Sequence, residues 1–352
     1  MSVKGKILWF DDDFERRGRK AEAVAKLIGL PLLKVEKTPK DESWFSSLQR
    51  CIGDNDLSSD NVALLVVDHC LKSPKLGGTA YDRGAALCSI LRMQFRDVPI
   101  VGVSNAKADV ISAKEKNEYA YFLNYSKLPS IASDDKDGVI QSIKSIVDGY
   151  RLIRERSCKS DAVGDEIVAL ANPPDMAKAD FQRVLPLSIR GNNLRDCAND
   201  VFSWYNDVLL NYQGVLVDVL SASAMIGATE EYFRDMILPR LSKSCQYQGI
   251  FSDFKGLHFW RKQLLLDLSK IVKDDGSIEL SHYIERLTKN KKNWARCRSC
   301  HKPFTELAAY GERDTHDILN GRKPAHRRCV VTTQEPCPAF FEPKYIDKNG
   351  MK

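Results

Sequence analysis

The strongest constraint on the fold is an alternation of short apolar runs with amphipathic stretches over residues 1–155. The apolar runs predict five strands, at residues 6–10, 32–37, 62–67, 98–103 and 119–123. The amphipathic stretches predict five helices, at residues 15–28, 44–52, 82–95, 109–117 and 138–154. The third strand, VALLVV, is apolar throughout, as in strands buried on both faces of a parallel sheet. Strict alternation predicts an α/β domain with a doubly wound parallel sheet.

Polar residues follow several of these strands. Asp11, Asp12 and Asp13 follow the first strand, Asp68 follows the third, Ser104 ends the fourth and Lys127 comes after the fifth. Ligands of such sheets bind at the carboxyl ends of the strands. Carboxylates that converge there repel one another unless a cation lies among them, so the pattern predicts a site for Mg²⁺. A carboxylate beside the metal could accept a phosphoryl group, with a lysine and a hydroxyl to bind its oxygens.

These residues resemble the receiver domain of bacterial two-component response regulators, which has a flavodoxin-like fold. The matching residues are Asp11 and Asp12 after KILWF, Asp68 in ALLVVD, Ser104 in VGVSNA and Lys127 in YSKLP, and the resemblance covers about residues 4–155. It implies that Asp68 is the phosphoacceptor, that Asp11, Asp12, Asp68 and the Cys70 carbonyl bind Mg²⁺, that Ser104 is the switch hydroxyl and that Lys127 pairs with the phosphate. It also implies a sensor histidine kinase as partner.

The sequence departs from the receiver pattern in two places. The loop from Asp68 to Asp82 is longer than usual and carries two adjacent glycines, which suits either a partner contact or a tolerated surface insertion. The position three residues before Lys127, often aromatic in the family, holds Asn124. Tyr125 or Phe122 are the alternatives for that aromatic role. A pseudo-receiver that keeps the pocket but does not switch in the usual way therefore stays open.

The pattern changes after the receiver-like domain, which we place at residues 1–155. Residues 156–193 contain three prolines and predict a linker with some helix, and residues 194–290 predict a helical output domain. Within 194–226, apolar residues recur every seven positions, from Leu194 to Ala222. This repeat predicts one long helix, which could pair with a second copy in a homodimer or form part of an all-α core.

Three further helices are predicted in the output domain. They lie at residues 229–238, 257–272 and 278–287. Thr229 followed by Glu230 and Glu231 is typical of a helix N-terminus, because the hydroxyl caps a free N–H and the acidic charges favour the positive end of the helix dipole. His258, in LHFWRK, is interpreted as a structural residue of its helix.

The ten cysteines divide by position into two groups. Six are scattered among apolar neighbours, as free core thiols of a reducing compartment are. Within residues 291–352, Cys297 and Cys300 form a Cys-x2-Cys pair and His326 and Cys329 form a His-x2-Cys pair. Such pairs provide four ligands for a structural Zn²⁺, and the second pair could lie on the first turn of a helix, as in treble-clef modules. Cys337 is a rival fourth ligand, and His301 and His316 are weaker rivals.

The positive charge is concentrated around this cysteine cluster. The chain has 53 basic and 47 acidic residues, yet residues 286–328 alone carry twelve basic against four acidic side chains. Tyr283, Trp294, Phe304 and Tyr310 lie in or beside this segment. Basic residues with interleaved aromatics are typical of nucleic-acid binding, although such runs are also found on solvated faces.

Together these features predict a two-component response regulator whose output half, ending in a small zinc module, binds nucleic acid and regulates transcription. The alternative is a phospho-regulated protein interaction scaffold with a purely structural zinc module. An enzymatic output is not expected, because residues 156–352 show no nucleophile and base pair, phosphate loop or open metal site. A cytoplasmic protein without a membrane partner is expected, since the longest apolar stretch is interrupted by Asp207 and Asp218.

Overall fold

A computed structural model describes residues 5–36, 43–72, 81–105, 118–129, 138–157, 163–190, 193–274, 276–302, 307–310, 323–326, 329–332 and 336–347. The chain divides into two compact units. The first contains Met1–Val163 and Gly191–Ser203, and the second contains Gly164–Arg190 and Trp204–Lys352. The unit boundary therefore differs from the predicted domain limits, since part of the predicted linker packs with the second unit and residues 191–203 pack with the first.

The first unit is built on five parallel strands. They are β1 (Lys6–Phe10), β2 (Leu32–Val35), β3 (Val62–Asp68), β6 (Ile100–Ser104) and β7 (Tyr121–Asn124). Their order in the sheet is β2-β1-β3-β6-β7, and each neighbouring pair is parallel. All seven residues of β3 are buried, because this central strand is covered on both faces. The predicted doubly wound α/β sheet is confirmed, and its order is the flavodoxin-like one.

Helices follow several of these strands along the chain. The first unit contains α1 (Phe14–Ile28), α2 (Trp44–Asn55), α3 (Gly84–Gln94) and α4 (Val139–Ser157). Helix α1 ends at Gly29, whose φ of 83° is left-handed and whose N–H donates to the Ala25 carbonyl at 2.9 Å, as predicted for a glycine C-cap. The helix predicted at residues 109–117 lies outside the described residues.

The long connection after β3 has a short strand at each end, and these two strands pair with each other. Strand β4 (Cys70–Lys72) pairs antiparallel with β5 (Tyr81–Arg83), and α3 follows directly. Helix α3 therefore starts two residues later than predicted, because the backbone of β5 is used in the hairpin. A Cβ at Gly84 would lie 2.4 Å from the Asp68 carbonyl oxygen, so the helix start packs closely against the end of β3.

The predicted long helix at 194–226 is wrong. The structure has helix α8 (Ala198–Trp204), a π-helical turn (Tyr205–Leu209), strand β8 (Leu216–Asp218) and helix α9 (Val219–Met225). Strand β8 pairs antiparallel with β9 (His258–Trp260), and Asp218 caps α9 by accepting from the Ser221 N–H at 2.7 Å. The repeat residues Val201, Ala222 and Ile226 are fully buried inside their own units, so the structure gives no continuous helical seam for a homodimer.

The second unit is mainly helical. Besides α9 it contains α5 (Val163–Ala171), α6 (Asp175–Val184), α7 (Leu187–Arg190), α10 (Glu230–Tyr232), α11 (Arg261–Val272) and α12 (Tyr283–Leu287). Helices α5 to α7 lie in the predicted linker. The region predicted as a helix at 257–272 begins instead with β9, and Ile278 to Leu287 forms a 3₁₀ turn (Leu280–His282) followed by α12. After α10 the chain continues through a π-helical turn (Phe233–Ile237) and a 3₁₀ turn (Leu238–Arg240) with Pro239.

Two small antiparallel hairpins complete the chain. Strand β10 (Leu307–Tyr310) pairs with β11 (Lys323–His326), and β12 (Val330–Thr332) pairs with β13 (Tyr345–Asp347). Of the helices that the structure describes, none has both the length and the hydropathy required to span a bilayer.

Candidate functional site

The acidic residues predicted at the strand ends lie together at one edge of the sheet. Asp11 directly follows β1 and Asp68 ends β3, its neighbour in the sheet. Carboxylate oxygens of Asp11, Asp12 and Asp68 lie within 4.8 Å of one another. Asp11 and Asp68 are buried, with 1% and 0% of their surface exposed, whereas Asp12 is half-buried. The topology therefore produces the carboxylate cluster that the sequence predicted.

A basic residue that the sequence did not single out lies in this cluster. Arg17, in the first turns of α1, forms ion pairs through Nη1 with Asp68 Oδ2 and, at 3.4 Å, with Asp11 Oδ1. Its guanidinium carbon also lies 4.8 Å from the centre of the Tyr125 ring, a distance typical of a cation–π contact. The Arg17 side chain is 22% exposed, so it is the most solvent-accessible member of these ion pairs.

The carboxylate oxygens of Asp11 and Asp68 all have donors. Asp11 Oδ1 accepts from the Asp13 N–H at 2.9 Å as well as from Arg17, and Asp11 Oδ2 accepts from the Tyr125 hydroxyl. Asp68 Oδ1 accepts from the Cys70 N–H at 3.1 Å and Oδ2 from Arg17. The pocket is therefore a complete hydrogen-bonded network of two carboxylates, one guanidinium and one phenol.

Burial sets the protonation behaviour of this network. Burial raises the pKa of the Asp68 carboxyl to about 6, and the nearby Asp11 charge adds to it, against the lowering effects of the Cys70 N–H and Arg17. Burial also raises the pKa of Asp11, which the hydrogen bonds from Tyr125 and Asp13 oppose. The Tyr125 hydroxyl stays protonated, since burial and both carboxylates raise its pKa well above the ordinary value.

The other predicted residues of this site are placed differently. Ser104 is fully buried at the end of β6, with its Oγ 3.8 Å from the Cys70 Sγ. Lys127 lies in the 3₁₀ turn Tyr125–Lys127 and is exposed, and the cation paired with Asp68 among the described residues is Arg17. Asn124 caps that turn by accepting from the Ser126 N–H at 2.8 Å. Of the two alternatives for the aromatic position, Tyr125 is the one that contacts the acidic cluster.

The cysteine cluster of the second unit also has metal-binding geometry. Ligand atoms of Cys297, Cys300, His326 and Cys329 all lie within 4.8 Å of one another. Cys297 and His326 are buried, and Cys300 Sγ lies 3.3 Å from His326 Nδ1. The His301 N–H donates to the Cys297 carbonyl at 2.8 Å, which closes the Cys-x2-Cys segment into a tight turn. Three thiols and one imidazole in a tetrad are a ligand set typical of structural Zn²⁺.

The local electrostatics of this cluster favour a thiolate at one position. Burial raises the pKa of the Cys297 thiol, but the backbone N–H groups of His326, Cys300 and Ser299 outweigh it and lower the pKa. The His326 N–H lies 3.4 Å from Cys297 Sγ. For Cys329, burial together with the neighbouring cysteines raises the pKa to about 11. Cys297 is therefore predisposed to ionise before Cys329.

The structure also bears on the position of the second ligand pair and on the rival ligands. His326 is the last residue of β11 and therefore lies on a strand, whereas Cys329 has 3₁₀ conformation directly before β12. Cys337 is exposed, with its Sγ donating to the Phe341 carbonyl at 3.2 Å, and it lies outside the tetrad. His301 is exposed and outside the tetrad as well, while His316 falls outside the described residues.

The basic segment is described as far as residue 302. All seven of its lysines and arginines between 286 and 302 are exposed, and no acidic residue occurs in this stretch of the sequence: Arg286, Lys289, Lys291, Lys292, Arg296, Arg298 and Lys302. Its backbone is fixed, since the Thr229 N–H donates to the Asn293 carbonyl and the Ala295 N–H to the Gly227 carbonyl. Of its aromatics, Trp294 is half-buried and Tyr283 is buried. Arg313, Arg322, Arg327, Arg328 and Phe304 lie outside the described residues, and Lys323 and Tyr310 are described by their backbone alone.

His258 is interpreted from the sequence as a structural residue, and its surroundings are those of a buried core histidine. It is 3% exposed, its Nδ1 lies 3.0 Å from the Gly256 carbonyl oxygen and its Nε2 lies 3.3 Å from that of Leu210. Burial lowers the pKa of its ring. It is therefore a core residue of β9 that contacts the segment before β8.

Comparison with known proteins gives matches in structure only. No protein-family model and no curated protein matches the chain. A response regulator receiver domain protein from Clostridium thermocellum is 14% identical, with 43% of this chain and 97% of that chain covered and a TM-score of 0.28. The response regulator protein TrrA from Thermotoga maritima, solved in complex with Mg²⁺-BeF, is 14% identical, with 40% and 98% covered and a TM-score of 0.27. NtrX from Brucella abortus is 17% identical, with 51% and 34% covered and a TM-score of 0.32.

Proposed function

We propose that the protein is a response regulator in which phosphoryl acceptance by Asp68 controls the C-terminal half. The observation that carries the proposal is the meeting of Asp11, Asp12 and Asp68 at the carboxyl end of a five-stranded parallel sheet, beside the buried Ser104 on the next strand. The donor would be a sensor histidine kinase, and the protein would act in the cytoplasm without enzymatic activity of its own output half.

The proposed reaction is a phosphoryl transfer to a carboxylate oxygen of Asp68. The new P–O bond forms as the P–N bond of the donor phosphohistidine breaks, and the donor nitrogen takes the bond's electron pair and is then free to bind a proton. Asp11, Asp12, Asp68 and the Cys70 carbonyl would hold Mg²⁺, which neutralises charge on the transferred group when it is bound. Ser104 and Lys127 keep their proposed roles as switch hydroxyl and phosphate partner, and Lys127 would have to leave its exposed position to fill that role.

Phosphoryl uptake from acetyl phosphate tests the assignment of Asp68. Intact-protein mass spectrometry should show one added phosphoryl group on the wild type and none on Asp68→Asn, because the amide is not a nucleophile toward phosphorus. Asp54→Asn, at an exposed position of α2, is the matched control and should be phosphorylated like the wild type. Equal uptake by Asp68→Asn and the wild type would refute the assignment.

For the cysteine tetrad we propose a structural Zn²⁺ bound by Cys297, Cys300, His326 and Cys329. The close approach of three thiols and one imidazole supports this, since thiols without a metal gain little from such crowding. Four protein ligands fill a tetrahedral Zn²⁺ site, which leaves no position for a reactive water. The metal would join the turn at Cys297–Cys300 to the two C-terminal hairpins.

For the output half we propose nucleic-acid binding by the basic segment, and through it a role in transcription. Seven exposed cations on a fixed backbone, with no acidic residue between 286 and 302, support a surface that follows a phosphate backbone. Binding to a labelled duplex should weaken steeply between about 50 and 200 mM salt, as counterion release requires. Protein that ignores DNA and RNA at low salt would favour the interaction scaffold instead.

A further inference from the structure

We propose that Arg17 is an internal cation of the acidic cluster, that it must leave before a divalent cation enters, and that it thereby sets the metal affinity of the site. This inference rests on the proposed function, because it concerns the same cluster. It assigns to α1 a residue that controls access to the phosphoacceptor, in addition to the residues that the receiver resemblance implies.

The geometry places Arg17 where a metal would have to bind. Its Nη1 contacts one oxygen of Asp68 and lies 3.4 Å from one oxygen of Asp11. The other oxygen of Asp11 accepts from the Tyr125 hydroxyl and the other oxygen of Asp68 accepts from the Cys70 N–H, while the Asp13 N–H shares Asp11 Oδ1 with Arg17. A Mg²⁺ ion needs carboxylate oxygens at about 2.0–2.1 Å, and it therefore needs the oxygens that Arg17 occupies.

The positive charge of Arg17 stabilises the acidic cluster without a metal ion. A cluster of three carboxylates with no cation is strongly repulsive, and a guanidinium that stays protonated at every relevant pH relieves this repulsion without metal. The face of Tyr125, 4.8 Å away, stabilises the same guanidinium. Arg17 and Mg²⁺ thus neutralise the same charge, and binding of one disfavours the other.

Two features make Arg17 displaceable rather than permanently buried. Its side chain is 22% exposed, so part of it already lies at the solvent-accessible surface. It also lies near the N-terminus of α1, where the helix dipole disfavours a cation. The ion pair with Asp68 offsets this unfavourable interaction with the helix dipole. A metal ion that binds the carboxylates breaks the ion pair, so Arg17 is no longer held in place.

Calorimetric titration with Mg²⁺ tests the competition. Arg17→Ala should bind Mg²⁺ about tenfold or more tightly than the wild type, the effect expected when one charge-assisted interaction no longer has to be broken. Arg17→Lys should bind with intermediate affinity, because lysine keeps the charge but not the planar fork. Arg19→Ala, at an exposed position of the same helix, is the matched control and should titrate like the wild type.

Thermal unfolding gives a second readout that does not depend on phosphoryl transfer. Saturating Mg²⁺ should raise the Tm of Arg17→Ala more than that of the wild type, since a tighter ligand stabilises more at the same concentration. Equal or weaker Mg²⁺ binding by folded Arg17→Ala would overturn the proposal. Phosphoryl uptake by the wild type, measured as above, would leave the proposed function standing in that case.

Discussion

At the scale of single residues, the acidic cluster could be predicted from the sequence but its counter-charge could not. Asp11 and Asp68 are adjacent in space because parallel strands bring their carboxyl ends to one edge, a consequence of topology alone. The position of the Arg17 guanidinium depends on which side of α1 faces the cluster and on the length of the side chain. The expectation that site residues follow the strands includes neither of these. One signal was present: Arg16 and Arg17 occupy the start of a helix, where acidic residues are favoured.

A second residue-scale result concerns Lys255 in the second unit. Its Nζ donates to the Asn206 carbonyl at 2.6 Å, and burial lowers its pKa to about 8, against the opposing charge of Asp207. The unfolded chain has a lysine pKa near 10.5, so between these values the unfolded state binds more protons than the folded state. Stability from this group therefore rises with pH.

We accordingly predict that Lys255→Met flattens the pH dependence of unfolding. Between pH 7 and pH 10 the wild type should gain about 2 kcal/mol of unfolding free energy relative to the variant. Urea unfolding at several pH values measures this, with Lys243→Met, at an exposed position, as the control that keeps the wild-type slope. Parallel curves for the wild type and Lys255→Met would contradict the assignment.

At the scale of elements, periodicity predicted the first unit well and the second poorly. The strands of the five-stranded sheet are short and mostly apolar, and β1 and β2 are each followed directly by a helix, so that two independent signals agree there. In residues 194–226 the seven-residue repeat was real, but its members lie in different elements: Val201 in α8, Val208 in the π-helical turn, Val215 directly before β8 and Ala222 in α9. The β-branched residues Val215 and Val217 after Gly214 are the local signal for the strand, and an apolar repeat alone does not contain it.

Capping chemistry was predicted more reliably than helix length. Thr229 Oγ1 accepts from the Tyr232 N–H at 3.2 Å, as expected from the sequence, although the helix beyond it is only Glu230–Tyr232 before a π-helical turn. We predict that Thr229→Ala lowers the unfolding free energy by about 1 kcal/mol. Thr229→Ser should recover most of this loss in chemical denaturation, and a serine variant as unstable as alanine would show that the methyl group matters instead.

At the scale of the whole molecule, residues 191–203 belong to the first unit although they come after a part of the second. Arg195 carries this association, since its Nε lies 2.6 Å from Asp97 Oδ2 and its Nη2 lies 2.7 Å from Asp60 Oδ1. Asn199 donates to the Arg96 carbonyl and accepts from the Tyr150 hydroxyl. Asp97 is 1% exposed and therefore depends on its partner.

We predict that Arg195→Ala destabilises the first unit by about 2 kcal/mol, because it leaves the buried Asp97 carboxylate without its guanidinium. The value is below that of a fully buried pair, since Arg195 is partly exposed. Arg96→Ala is the matched control, because its ion pair with Asp196 on the same segment is long, at 4.0 Å, and exposed. Equal unfolding midpoints for the two variants would contradict the importance of Arg195.

The proposed zinc site can be tested on the whole protein by its metal content and by removal of the metal. We predict about one zinc per chain by elemental analysis, retained in Cys337→Ser and lost in Cys297→Ser, because Cys337 lies outside the tetrad and Cys297 is its most buried thiol. A zinc-selective chelator should increase amide exchange in β11 and β12 and leave the five-stranded sheet protected. Equal zinc in both variants would refute the proposed ligand set.

The return of residues 191–203 to the first unit has a consequence for the order in which the protein is made. A chain emerging from the ribosome completes the five-stranded sheet and α4 by residue 163, but Asp97 and Asp60 receive Arg195 only after the following residues, to 203, have been synthesised. At about 5–20 residues per second, this interval lasts roughly 2–8 s. During that time the first unit lacks the ion pairs of Arg195 with Asp97 and Asp60.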